Sequence, residues 1–116
     1  MEMIEYQQYA NRTSNKDLDG MGKVRNGCYG MCGEAGECID ILKKHEFQDH
    51  PFDSDKMLDE LGDVLWYIAQ TATGLGITLE DIAWHNVNKL KKRYPDGFDS
   101  ERSIHRPEYE RGDNNA

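Results

Sequence analysis

No apolar run in the sequence approaches the roughly 20 residues that cross a bilayer, so no membrane-spanning role is expected. Basic residues are the minority: Lys+Arg total 14 against 22 Asp+Glu, for a net charge of -8. A field of that sign disfavours general binding to nucleic acid polymers or anionic membrane surfaces. A polyanion could still bind locally where metal ions neutralise the site. Apolar content is also low, at 37% hydrophobic residues with a mean hydropathy of -0.87. At 116 residues the chain fits one domain, expected to bury enough apolar surface only with a partner subunit. The three cysteines, Cys28, Cys32 and Cys38, are an odd number, which suits free thiols. Cys28 and Cys32 lie one helical turn apart rather than as C-x-x-C, so small apolar packing residues with free thiols are expected, in a reducing cytoplasmic compartment. The opening "MEMIEYQQYA" is acidic and polar, unlike a signal peptide. Strand-like alternation, internal repeats and low-complexity blocks are missing as well, which leaves an all-α reading.

The positive signals are helical. Residues 2–13 predict a first helix with Ile4, Tyr6 and Tyr9 as apolar contacts. "TSNKDLDGMGKVRNG" reads as a loop from its Ser, Asn, Asp and Gly content. A second helix is expected from about Cys28 to Lys44, with Met31, Ala35, Cys38, Ile39 and Leu42 at helical spacing. Lys43 and Lys44 suit its C-terminal dipole. After a connection broken by Pro51, Ser54 or Asp55 would cap a third helix to about Thr73, with Leu58, Leu61, Leu65 and Ile68 along one side. Gly74 or Gly76 would supply its left-handed end. Thr78 would cap a fourth helix that ends at Arg93 or Tyr94 before Pro95. The polar remainder is expected to carry no further element, with a flexible tail over 107–116.

Two of these helices carry paired acids. Glu34 and Glu37 are three apart, which places them on one face about 60° from each other, and Asp40 extends the row. Glu60 and Asp63 repeat the spacing on the next helix. Helices joined by a short loop pack antiparallel, so the pairs can come face to face. Four clustered carboxylates repel one another, and a divalent cation removes the conflict. Hard oxygen donors suit Mg²⁺, or Mn²⁺ in its place. Gly33, Gly36 and Gly62 sit beside the acids, where they would leave room for a ligand or for close helix approach.

"GCYGMCGEAGECIDILKK" followed by "LDELGDVLWYIA" resembles the MazG-like nucleotide pyrophosphohydrolases, an all-α superfamily marked by E-x-x-E and then E-x-x-D. "NVNKLKKRYPDGF" is similar to the ending of many members. The resemblance implies a four-helix-type bundle over a single domain, 1–106, with its site between helices and completed in a dimer or tetramer. It implies Mg²⁺-dependent hydrolysis of a (deoxy)nucleoside triphosphate to the monophosphate and pyrophosphate, a nucleotide-pool housecleaning reaction. Glu34, Glu37, Glu60 and Asp63 would be the catalytic metal ligands. Asn86, Lys89 and Arg93, which share a face of the fourth helix, would bind phosphate.

Two other readings compete. Di-iron carboxylate bundles carry E-x-x-H pairs, and neither pair here has a histidine at its fourth position. A non-catalytic acidic helical module that docks on a partner leaves the doubled carboxylate spacing unexplained.

Overall fold

The computed structural model describes residues 1–107. Among them are five α-helices and no strand: α1 (Met3–Arg12), α2 (Gly20–Phe47), α3 (Ser54–Leu75), α4 (Leu79–Arg93) and α5 (Ser100–Ile104). The all-α expectation holds. The chain divides into two compact units, Met1–Leu79 and Glu80–Ala116. The expected 107–116 tail falls, from residue 108 on, outside the described residues.

In the first unit α2 and α3 form the dominant pair, with α1 packed on α3. Their direction follows from who meets whom. A Cβ built on Gly20 would touch Gly74, one on Gly30 would overlap the Tyr67 ring, and Glu34 shares a hydrogen bond with Glu60. Rising numbers on α2 thus meet falling numbers on α3, so the two helices are antiparallel. Gly27 and Gly30 set the distance. A side chain at Gly27 would run into Thr71 and the Tyr67 carbonyl. Glycine costs a helix interior about 0.5–1 kcal/mol relative to alanine, and here that cost is offset by the close approach of two long helices.

Several boundaries differ from expectation. Residues 13–27 were expected to be a loop, yet α2 already starts at Gly20. The Asp19 carboxylate caps it by accepting from the Gly22 N–H at 2.6 Å. Weak local helix propensity is overridden there by packing on α3. The cap of α3 is Asp53, which accepts from the Lys56 N–H at 3.0 Å, rather than Ser54 or Asp55. Its C-terminal residue is Gly76, with φ 71. The Gly76 and Ile77 N–H groups close on the Thr73 and Ala72 carbonyls, a pairing that needs the left-handed residue. The short α5 lies where no element was expected; Asp99 caps it by accepting from the Glu101 and Arg102 N–H groups.

The core is small in both senses. Ala10, Ala69, Ala72 and Leu79 form it, with Tyr6, Trp66, Ile68 and Ile77 packed around them. Leu58, Leu61 and Leu65, expected to line a packed side of α3, are exposed, as are Ile39 and Leu42 on α2. Ile41, not among the expected positions, is buried instead. Glycines and alanines bring the helices together, so the large apolar residues on other faces stay outside this unit. Cys28 and Cys32 are likewise exposed, and only Cys38 is half-buried, which corrects their assignment as packing residues.

Polar groups tie α1 into place. Buried Gln7 donates to Thr73 Oγ1 (3.1 Å) and the Ile77 carbonyl (3.0 Å), and accepts from the Leu79 N–H (2.9 Å). Gln7→Leu would leave these partners unsatisfied, and an unmet buried donor costs about 1–3 kcal/mol. The expected loss is about 2–3 kcal/mol in urea unfolding.

Candidate metal and nucleotide site

The carboxylate rows meet where α2 crosses α3. One oxygen from each of Glu34, Glu60 and Asp63 lies within 4.8 Å of the others. Glu34 and Glu60 are half-buried and Asp63 is exposed. Glu60 is held protonated more readily than an ordinary glutamate. The largest cause is its hydrogen bond with Glu34, followed by burial and the negative charges of Glu34, Asp63 and Asp59. Protonation of Glu60 relieves the repulsion between these carboxylates.

Glu37 is not part of this trio. It is exposed and lines an open cleft of about 420 Å³ at the loop end of the helix pair, with Asp40, Ile41, Lys44, Phe52, Lys56 and Glu60 on the walls. Glu60 faces both the trio and the cleft. Asp40 is engaged by Lys44 at 2.9 Å and Lys43 at 3.8 Å. The Lys44 hydrogen bond and these cations hold its carboxyl below the usual range. Two lining residues are held by His45, whose Nδ1 meets the His50 carbonyl at 2.8 Å and whose ring packs edge-on against Phe52 at 5.8 Å.

Gly33, Gly36 and Gly62 do not mediate helix contact, because a Cβ at each would meet nothing within 4 Å. That role falls to Gly27 and Gly30. In the second unit, Asn86 and Lys89 are exposed on α4 and Arg93 is half-buried, its guanidinium 6.0 Å from the Tyr94 ring centre. Trp84 is exposed. Trp66 is a packing residue whose indole N–H donates to Thr13 Oγ1 at 2.9 Å.

The trio suits a hard divalent cation. Oxygens on one Mg²⁺ sit about 2.1 Å from it and therefore at most about 4.2 Å apart, so the observed cluster needs little closure. A proton on Glu60 neutralises charge where a cation would do so. Proton and cation therefore compete. Glu60 takes up its proton at a higher pH than an ordinary glutamate, so affinity for Mn²⁺ is expected to fall early as pH drops from neutral. Calorimetric titrations from neutral to acid pH would measure it. Sequence reasoning passed over the cleft walls at 50–56, which read only as a connection.

Among the described residues, no helix is long and apolar enough to cross a membrane. No solved structure matches the chain. The Gene 37 protein of Mycobacterium phage L5 is 35% identical over 81 residues, 66% of this chain and 71% of that protein. The family model described as "MazG nucleotide pyrophosphohydrolase domain" matches residues 27–98, more than half of the sequence, and spans both acidic pairs and α4. By that match and the helical architecture beneath it, this chain belongs to the MazG nucleotide pyrophosphohydrolase family.

Proposed function

We propose that the protein is a Mg²⁺-dependent pyrophosphohydrolase of (deoxy)nucleoside triphosphates that releases the monophosphate and pyrophosphate, in a housecleaning role in the cytoplasm. Mn²⁺ would serve as a substitute ion. The observation that carries this reading is the convergence of Glu34, Glu60 and Asp63 at the crossing of two helices, inside the matched domain.

In this reading Glu34, Glu60 and Asp63 hold the cation, and Glu37 is a fourth oxygen donor from the cleft side. A bound divalent cation supplies charge neutralisation and Lewis-acid polarisation of the phosphoryl group. The carboxylates also orient the attacking water, and one of them accepts its proton. Asn86, Lys89 and Arg93 recur at steps of three and four on α4, so they form one polar row. That row would bind phosphate, with lysine as a point charge and arginine as a two-pronged donor. Residues 1–106 would act as one functional domain.

The working form would be a homodimer or homotetramer. Supporting this, the isolated chain exposes Leu58 at 69%, Leu61 at 54% and Ile39 at 67%. Apolar surface of this kind on both helices of the pair is stabilised by burial against another subunit.

The test is to incubate purified protein with a panel of ribo- and deoxyribonucleoside triphosphates and Mg²⁺ and to assay pyrophosphate. Monophosphate and pyrophosphate in equal amounts are expected, with release abolished by chelation. No product from any nucleotide would overturn the reading.

A further inference from the structure

The cleft at the loop end of the α2–α3 pair adjoins the carboxylate trio, because Glu60 belongs to both. Glu37, Ile41 and Lys44 recur at steps of four and three and form its α2 wall. Lys56 and Glu60, one turn apart, form the α3 wall, and the 50–55 connection closes the end between them. Its volume of about 420 Å³ lies within the roughly 300–1,000 Å³ of small-molecule sites. Asp55 and Glu60 are five residues apart on α3, about 7.5 Å along its axis. A sugar and a base fill a span of that order.

The chemistry of the walls selects what enters. Five carboxylates face the cleft against two lysines, and one of these, Lys44, is held by Asp40 at 2.9 Å. A phosphate chain is repelled there, so a nucleotide with its phosphates at the trio turns its other end inward. At that end stands Phe52, half exposed, with Pro51 beside it and Ile41 on the α2 wall. An exposed aromatic ring can take the face of any base. The Asp53 carboxylate is occupied as the cap of α3. Asp55, by contrast, makes no side-chain hydrogen bond or ion pair among the described residues. An ionised carboxylate can only accept, so its partner must bring an N–H.

We propose that the cleft is the nucleoside subsite, with the base stacked on Phe52 and its exocyclic amino group donating to Asp55, so that cytosine and adenine nucleotides are preferred. The inference rests on the proposed nucleotide reading and adds the substrate class. Cytosine and adenine carry an amino donor where uracil, thymine and guanine carry a carbonyl oxygen. With the latter three, acceptor would face acceptor at Asp55.

The α,β-imido analogues of dCTP and dUTP differ only at that group and resist cleavage. Wild type, Asp55→Asn and Phe52→Ala would be titrated calorimetrically with each at saturating Mg²⁺, and with inorganic tripolyphosphate, which lacks sugar and base. Wild type should bind the cytosine analogue roughly tenfold more tightly than the uracil one, the size of one good base-edge contact. In Asp55→Asn the carboxamide can donate as well as accept, so the ratio should fall to within about threefold. Phe52→Ala should weaken both analogues about tenfold and leave their ratio unchanged, since stacking reads no base edge. Tripolyphosphate affinity should stay within about twofold in all three proteins, because an exposed charge at residue 55 is screened.

Equal binding of the two analogues by wild type, or an unchanged ratio in Asp55→Asn, would overturn the inference. The pyrophosphohydrolase reading would survive either result as long as wild type cleaves nucleotides. A loss of tripolyphosphate affinity in Phe52→Ala that matches its loss for the analogues would also overturn the inference, since the cleft would then hold phosphates. Thermal melts would show whether both variants fold; should Phe52→Ala not, the Asp55→Asn ratio still decides. Wild type that binds neither analogue and cleaves no nucleotide would overturn both readings.

Discussion

Glu60→Gln is expected to remove most of the activity and most of the divalent-metal affinity, while leaving the metal-free protein at least as stable as wild type. Glu60 is the carboxylate shared by the trio and the cleft, so its loss removes the donor that joins them. Loss of one of three charged oxygen ligands predicts a fall of roughly 100-fold or more in kcat/KM, beyond the 10- to 100-fold typical of an outer-shell partner.

The stability effect should run the other way. Glu60 binds its proton more tightly in the folded state than an ordinary glutamate does. A raised carboxyl pKa contributes stability that is fully present below the unfolded value and is lost as pH rises through the folded value. Once Glu60 has lost its proton, the metal-free site sets like charges against one another. Glutamine keeps the shape and a hydrogen bond to Glu34 but removes one charge. Thermal melts in a chelator should show the variant unfolding no lower than wild type, and added Mg²⁺ should raise the wild-type midpoint alone. A site whose ligands destabilise the empty protein trades stability for function. A variant that lost stability and kept activity would contradict this account on both counts.

The second large effect belongs to a glycine. Gly30→Val is expected to cost about 3 kcal/mol, the upper end for forcing atoms into a packed interface. The Tyr67 ring occupies the space that any Cβ at Gly30 would need, and Tyr67 is itself packed edge-on against Trp66 at 5.0 Å. The ring has little room to retreat, so the helices must separate. Separation would also move Glu34 away from Glu60, because both lie a short way along the same helix pair. The midpoint of thermal unfolding should fall by about 10–20 °C, with metal affinity lost in parallel. Gly33→Ala, one turn further along α2, is the control. Open space surrounds it, so alanine should stabilise the single subunit by about 0.5–1 kcal/mol through helix propensity. If both variants melted alike, close approach at Gly30 would not be what holds the pair.

What could be read from the sequence follows from the range of each signal. Helix type and the carboxylate rows depend on residues three or four apart, so Glu34 with Glu37 and Glu60 with Asp63 were visible as pairs before any fold was known. The end of α3 at Gly76 depends on one residue's freedom to adopt positive φ, and it too was local. The start of α2 was not. Its first eight residues have the composition of a loop and become helix because Gly20 and Gly27 fit against α3.

Contacts between helices decided the rest. Periodicity identified an apolar row on α3 but could not say whether it faced the subunit's own core. Small residues made the core, and Leu58, Leu61 and Leu65 were left outside. The same geometry brought Glu34, Glu60 and Asp63 together while Glu37 turned to the cleft, a division that equal spacing gave no reason to expect. The sequence by itself determined the helices and the acidic pairs, whose cause lies within one or two turns. Only the tertiary structure decided which acids meet and which glycines bear the contact, because those depend on distances between residues far apart in the chain.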